Sequence, residues 1–167
     1  MVFMNIQTVN ISMKNDLQEL IDSITYISEY SGQTENRTAE ENILEPEFPE
    51  NGIKENVKLE CVYDETNEMV NYCQYYKNYE NNNTIFLGSF FIKRNKQKKG
   101  LGKKIIKMYE EQWKQEGYTK IILQVDIKNW VGIRFWLRNG YNKIIKWIGD
   151  LEYSDKTYAM IRLEKII

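Results

Sequence analysis

The run Arg94-Asn-Lys-Gln-Lys-Lys-Gly-Leu-Gly-Lys-Lys104 concentrates positive charge around two glycines. Lys93, Arg94, Lys96, Lys98, Lys99, Lys103, Lys104 and Lys107 place eight cations within fifteen residues, with no acid among them. An almost wholly apolar segment, Thr84–Ile92, precedes the run, and an amphipathic one follows. Strand, glycine loop and helix in that order aim the unpaired N–H groups of a helix start at one point, where the helix dipole adds positive potential. Glycine admits an anion close to the main chain because it has no Cβ. This arrangement suits a diphosphate with a further phosphate nearby. Two phosphate motifs fail here. A P-loop requires glycine where Gln97 stands and Ser or Thr where Lys104 stands. The dinucleotide fingerprint requires a third glycine where Ile105 stands.

The 167-residue chain contains no histidine. Nucleophile–histidine arrangements and imidazole-bound zinc are therefore excluded, and two cysteines alone cannot close a structural zinc site. No metal site is expected. A general base must be a carboxylate, Lys, Tyr, Cys, a main-chain group or water. Cys61 and Cys73 do not make a disulfide framework in a chain of this size and read as small buried apolar residues. The N-terminal stretch lacks a basic region followed by an apolar core, and no apolar run is long enough to span a membrane. A cytoplasmic protein is expected. The net charge of −1 hides a split. Residues 1–83 hold five basic and sixteen acidic side chains, and residues 84–167 hold eighteen basic and eight acidic. Two surfaces with different ligands follow from such asymmetry.

The elements that must position these residues can be read from periodicity. Leu17, Leu20, Ile21, Ile24 and Ile27 predict one amphipathic helix over Asp16–Ile27, with Asn15 or Asp16 as its cap. Ser31–Asn56 is polar and acidic and reads as a short helix among loops. Val57–Tyr63 and Met69–Tyr76 predict a hairpin around Asp64–Glu68. Thr84–Ile92 reads as a central strand buried on both faces, with a bulge at Gly88. A helix follows over Leu101–Gln115, stopped by Gly117, then a strand over Lys120–Asp126 and a helix over Trp130–Arg138. Strands over Tyr141–Ile148 and Thr157–Ile166 end the chain. The order is that of a single α/β (α+β) layered domain over residues 1–167.

Gln97-Lys98-Lys99-Gly100-Leu101-Gly102 resembles the Arg/Gln-x-x-Gly-x-Gly/Ala pyrophosphate loop of the Gcn5-related N-acetyltransferase (GNAT) superfamily. The superfamily's later motif is matched as well, by Asn129, Gly132, Phe135-Trp136 and Gly140-Tyr141 after the strand ending Leu123-Gln-Val125. The resemblance is close over Thr84–Tyr141. It implies a single mixed, mostly antiparallel sheet of six to seven strands with a splayed central parallel pair, flanked by helices. Residues 1–83 would form the acceptor side, 84–141 the acetyl-CoA motifs and 142–167 the C-terminal strands.

The resemblance further implies acetyl-CoA as acyl donor. Main-chain groups near Phe91 and Ile92 would pair with its pantetheine arm. Main-chain N–H groups of Gln97, Lys98, Lys99, Gly100, Leu101, Gly102 and Lys103 would hold the diphosphate. Asn129, also a candidate helix cap, matches the asparagine that contacts the cofactor arm, and Trp136 would pack against that arm. Two departures concern catalysis. Trp136 stands where many relatives carry an acid tyrosine, and indole N–H is a poor proton source. Thr84–Ile92 contains no carboxylate where some relatives carry a glutamate. Asp126, Glu80 or an ordered water are left as bases, and Tyr141 or Tyr158 as acids.

The acidic first half, with Glu60, Asp64, Glu65 and Glu80, leads to the expectation of a small cationic primary amine as acceptor. Two other readings stay open. One is an acyl-CoA-binding sensor or scaffold without turnover, and the other is a nucleic-acid-binding module that uses the basic loop. The small-molecule reading expects neither nucleic acid nor membrane as partner, and the chain is expected to be a monomer or a homodimer.

Overall fold

Alternating side chains along the strands build the sheet that organises the chain, and a computed structural model describes it for residues 4–33 and 36–167. Residues 1–3 of the N-terminal stretch and 34–35 of the polar segment lie outside the described residues. Seven strands form one sheet: β1 (Asn5–Thr8), β2 (Val57–Tyr63), β3 (Met69–Tyr76), β4 (Thr84–Ile92), β5 (Lys120–Asp126), β6 (Lys143–Gly149) and β7 (Ala159–Ile166). Their order is β1-β2-β3-β4-β5-β7-β6. Only β4 and β5 run parallel; every other neighbouring pair is antiparallel. The expected mixed sheet with one central parallel pair is therefore what forms. β1 has no counterpart in the periodicity, because it is four residues long, mostly exposed, and carries one apolar residue, Ile6.

The helices are α1 (Lys14–Asp22), α2 (Ser28–Ser31), α3 (Ala39–Leu44), α4 (Leu101–Gln115) and α5 (Trp130–Arg138). The single helix expected over Asp16–Ile27 is interrupted. The Ser23 hydroxyl donates to Leu20 O at 2.6 Å and accepts Arg94 N–H at 3.1 Å, so it ends α1 and ties it to the chain after β4. Nor do Asn15 or Asp16 cap the start. Asn10 does, accepting Ser12 N–H at the head of a 3-10 turn that runs into α1. The short helix expected in the acidic segment is α3, closed by a capping box between Thr38 and Glu41.

Each face of the sheet carries its own core. Ile105, Ile106, Tyr109 and Trp113 of α4 pack on Tyr75, Ile85, Ile121, Leu123 and Leu163. On the other face Leu17, Leu20 and Ile21 of α1 pack with Ile24, Cys61, Met69 and Tyr72. Cys61 and Cys73 are both buried and free, one in each core. Burial, helped by nearby Glu60 and Asp16, pushes the Cys61 thiol up to about 12, so it behaves as an inert apolar residue. Edge strand β6 leaves Ile144 and Trp147 open to solvent. Among the described residues, no helix is long and apolar enough to cross a membrane.

Glu60 lies beneath α4, beside Tyr75 and Gln112, whose side chains offset only part of the cost of its burial. Burial raises the Glu60 carboxyl above its ordinary value of 4.5. The folded state therefore binds this proton more tightly than the unfolded one, and Glu60 costs stability as pH rises from 4.5 through the raised value. Glu60→Gln is expected to raise the melting temperature at neutral pH by a few degrees, since about 1 kcal/mol moves it by roughly 2–4 °C at this size. The gain should shrink toward pH 4, as melting curves of both proteins across that range will show.

Candidate active site

The central strands part. β4 and β5 pair from Thr84–Lys120 to Leu87–Leu123 and no further, although β4 continues to Ile92 and β5 to Asp126. On its other side β4 stays bound to β3, where Tyr75 faces Leu87 and Gln74 faces Ser89. Gly88 is thus the unmatched residue of a bulge, as expected, and it sits where the parting begins. Lys93 N–H donates to Val70 O at 3.0 Å, and Phe91 O accepts Asn71 Nδ2 at 2.9 Å. Main-chain groups alternate sides along a strand, so Phe90 and Ile92 face the gap and Phe91 faces β3. The expectation for Phe91 is corrected accordingly. Ile92 faces the gap, with its carbonyl already accepting Gln97 Nε2 at 2.9 Å.

The loop after β4 brings α4 to the mouth of this gap. Lys98 and Gly100 both adopt positive φ, 61° and 80°, which curls the main chain so that successive N–H groups converge. Lys104 N–H reaches Gly100 O at 3.2 Å. Among the described residues, the N–H groups of Lys98, Lys99, Gly100, Leu101, Gly102 and Lys103 have no main-chain partner outside the helix, and those in the first turn of α4 have none within it. Gln97 differs. Its N–H donates to Arg94 O at 3.3 Å, and its side chain bridges Ile92 O and the Tyr26 hydroxyl. Gln97 therefore holds the loop in place instead of offering a free N–H. Gly102 is required by packing as well, because a Cβ there would lie 3.1 Å from the Phe135 ring of α5.

The loop cations divide into two groups. Lys93 is buried and bonds Glu19 at 2.7 Å and Glu68 at 2.8 Å. Lys96 bonds Asp64 at 2.7 Å and Glu68 at 2.6 Å. Burial opposes the Asp64 charge, but hydrogen bonds led by Lys96 and Thr66 outweigh it and hold this carboxyl well below its usual range. These two lysines tie the loop to the β2–β3 turn and to α1, and are not available to a phosphate. Lys98, Lys99, Lys103, Lys104 and Lys107 are exposed and enter none of the ion pairs among the described residues. They surround the converging N–H groups, so positive charge and unpaired donors coincide at this end of the site.

On the far side of the gap, Asn129 accepts Gly132 N–H at 2.8 Å and caps α5, the helix-cap role read for it. Trp136 is buried against Phe90, Phe135 and Tyr141. Tyr141 is fully buried, and its hydroxyl donates to Glu110 at 2.8 Å. Burial and the adjacent Glu110 carboxylate raise this phenol far above its ordinary value, so Tyr141 cannot serve as a proton donor to a ligand. Tyr158 packs against Gly32 and beneath Lys128.

A cleft of about 980 Å³ opens from the parting on the α1 side. Its floor is a row across the sheet: Gln74 of β3, Gly88 of β4, Gln124 of β5 and Arg162 of β7. Ile24, Arg37, Asn42 and Phe48 contribute to its walls. Of the four acids assigned to the acceptor side, only Glu80 lines it. Glu60 lies under α4, while Asp64 and Glu65 lie beside the basic loop, at a hollow with Lys99 and Lys104. Glu80 stands 3.9 Å from the Arg162 guanidinium. Asp126 shares the sheet face of Gln124 just beyond the cleft, and burial raises its carboxyl from the ordinary 3.8. Arg37 and Arg162 are the functional candidates that periodicity misses. Each carried a signal: Arg37 is the only basic residue between Lys14 and Lys54, and Arg162 interrupts the apolar start of β7. Among the described residues, no cluster of three or more acidic or cysteine side chains is placed to hold a metal.

The same architecture occurs in solved structures. An acetyltransferase from Thermus thermophilus matches with a TM-score of 0.75 at 13% identity, over 98% of this chain and 97% of that one. The ribosomal-protein-S18-alanine N-acetyltransferase of Escherichia coli matches at 0.68 and 11% identity, over 99% and 94%. The spermidine/spermine N-acetyltransferase SpeG of Vibrio cholerae matches at 0.68 and 10% identity, over 98% and 92%. At such identities these likenesses show the fold. No curated protein matches the sequence. The sequence model of the acetyltransferase (GNAT) family matches residues 23–141, which takes in the hairpin, the parted strands, the basic loop and α5. With the parting of β4 from β5 and the free N–H groups at the head of α4, this match over most of the chain decides the matter: the chain belongs to the acetyltransferase (GNAT) family.

Proposed function

We propose that this protein transfers the acetyl group of acetyl-CoA to the primary amine of a small molecule held in the cleft. The observation that carries the reading is the opening between β4 and β5, placed directly against a helix start with free N–H groups and five unpaired lysines. Lys98 to Lys103 would hold the diphosphate, and the main-chain groups of Phe90 and Ile92 would hold the pantetheine arm. Acetyl-CoA supplies the thioester; the amine nitrogen bonds to its carbonyl carbon, the C–S bond breaks, and thiolate leaves. Before that attack the acceptor ammonium must lose a proton to give the neutral nucleophile, and the nitrogen sheds a second proton as the thiolate leaves. Asp126 is the base in this reading, since it stands at the parting with a carboxyl that burial makes more basic than usual. Glu47, Glu50 and Glu80 line the cleft and give its rim a negative potential, in keeping with an acceptor that carries an ammonium group. The exposed apolar strand β6 is the surface on which a homodimer would form.

Calorimetric titration with acetyl-CoA tests the first step. Saturable binding is expected, and it should weaken at least tenfold in a Gly100→Asp, Gly102→Asp variant and in a Lys98→Glu, Lys99→Glu variant, which leaves the α4–α5 contact alone. A folded protein that binds no acetyl-CoA would remove the acetyltransferase reading, and binding without turnover on a broad amine panel would leave a sensor.

Asp126→Asn tests the base. A loss of kcat of about 100-fold or more is expected, with acetyl-CoA binding unchanged. The base works deprotonated, so wild-type kcat/KM should fall as pH drops through the raised Asp126 value, and the variant should lose that limb. An unaltered kcat would assign proton removal elsewhere.

A further inference from the structure

Bulk charge makes the first half of the chain acidic, yet two of the side chains built into the cleft are arginines. Arg37 uses Nη2 to bond the carbonyls of Glu41 and Glu45 at the end of α3. Its Nη1 is buried and has no hydrogen-bond partner among the described residues. Among the described residues, the carboxylate paired with Nη1 is that of Glu47, which stands 3.8 Å away and is 78% exposed. Arg162 rises from β7 at the other end of the floor. With the Gln124 amide turned to present its oxygen, it receives Arg162 Nη2 at 2.7 Å and Nε at 3.2 Å. The rings of Tyr79 and Phe86 flank the same guanidinium at 5.7 and 5.8 Å. Its Nη1 faces Glu80 at 3.9 Å, too far for a hydrogen bond, and Glu80 is 54% exposed while Arg162 is only 15% exposed.

Among the described residues, both guanidiniums are therefore anchored on one edge and lack a hydrogen-bond acceptor on the other, Arg37 Nη1 being closed to solvent, in a cleft whose carboxylates are solvated at the rim. Between them the floor is neutral, formed by Gln74, with the Tyr72 hydroxyl donating to its amide oxygen, and by Gly88. A buried guanidinium edge without an acceptor is unfavourable alone, and a planar two-oxygen anion fits its fork of N–H groups. A polyamine offers nothing to such groups and would be repelled by them.

We infer that the acceptor is an amine that also carries a carboxylate, an amino-acid-like molecule, and that Arg37 and Arg162 hold the carboxylate while its ammonium faces Asp126 and the parted strands. The inference rests on the acetyltransferase reading of the same cleft.

The experiment measures KM and kcat with acetyl-CoA for a panel of amino acids, their primary carboxamides and spermidine, in the wild type, Arg37→Gln, Arg162→Gln and Arg162→Lys. Acetyl-CoA binding is followed calorimetrically for each protein. KM is the decisive quantity, because amidation also changes amine basicity and so kcat. At least one amino acid is expected to be acetylated with a KM about tenfold or more below that of its carboxamide. Either glutamine variant should raise the KM of the amino acid to that of the carboxamide, leave the carboxamide value near wild type, and leave acetyl-CoA binding unchanged. Arg162→Lys should recover part of the loss. Two outcomes overturn the clamp alone: equal or lower KM for carboxamides or spermidine in the wild type, or acetyl-CoA binding with no amino acid acetylated. If the folded protein does not bind acetyl-CoA, the acetyltransferase reading fails and this inference with it. The wild-type comparison decides even if Arg37→Gln, which loses the end of α3, does not fold.

Discussion

Two parallel strands that pair for four residues and then separate are the constraint on which the rest of this structure depends. Separation leaves main-chain donors and acceptors of β4 and β5 without strand partners, which is unfavourable unless something else pairs with them. The fold contains the damage. Gly88 takes up the extra length as a bulge against β3, so β4 stays bonded on one side while it swings from β5 on the other. β5 stays bonded to β7 along its whole length. Above the gap, Gly102 lets α4 and α5 approach closely. The opening is thus held rigidly by antiparallel strands on both sides, as a site for an extended ligand requires.

Part of the charge in this chain goes into pairing, both between its acidic and basic halves and within the basic half. Lys93 and Lys96 meet Glu19, Asp64 and Glu68; Lys77 meets Glu116. Lys165 meets Glu110, and Glu164 receives Lys143. Most of these pairs are partly exposed, so each adds little stability on its own. Lys93 is the exception, because it is buried and anchors the end of β4 to α1 and to the hairpin turn. The charges on which the proposed function draws lie outside this pairing or only half within it: five lysines around the head of α4 and two half-paired arginines in the cleft. Net charge by sequence segment does not separate the two groups.

That distinction also marks the limit of what periodicity could reveal. Strands of seven residues or more, the helices α4 and α5 and the glycine loop were legible, because their burial patterns extend over several repeats. β1 was not, since a four-residue edge strand with one apolar side chain has no pattern. The interruption of α1 turned on one hydroxyl, Ser23, which bonds both its own helix and a residue 71 positions away. The wrong side was assigned to Phe91 for a similar reason. Which main-chain groups face a gap depends on register against β3, a long-range property. Averaging charge over a half-chain does not locate the acids of the cleft, for Glu60, Asp64 and Glu65 each lie outside it.

The aromatic cluster around Trp136 bears on how transfer proceeds without the tyrosine that many relatives carry. Trp136 is locked among Phe90, Phe135 and Tyr141, and the Tyr141 hydroxyl is tied to Glu110, so this corner holds no proton source. The missing acid is the lesser obstacle to transfer. A thiol with a pKa of about 8.5 leaves readily as thiolate, whereas an alkyl amine near 10.4 is neutral at pH 7 in only about one molecule in 2,500. Removing the ammonium proton is therefore the harder requirement. In the proposed complex, a carboxylate bound to Arg37 and Arg162 largely neutralises those cations. Any residual positive potential would still disfavour the ammonium form and lower its pKa. Binding and activation would then come from the same two side chains, with Asp126 receiving the proton that they help to release.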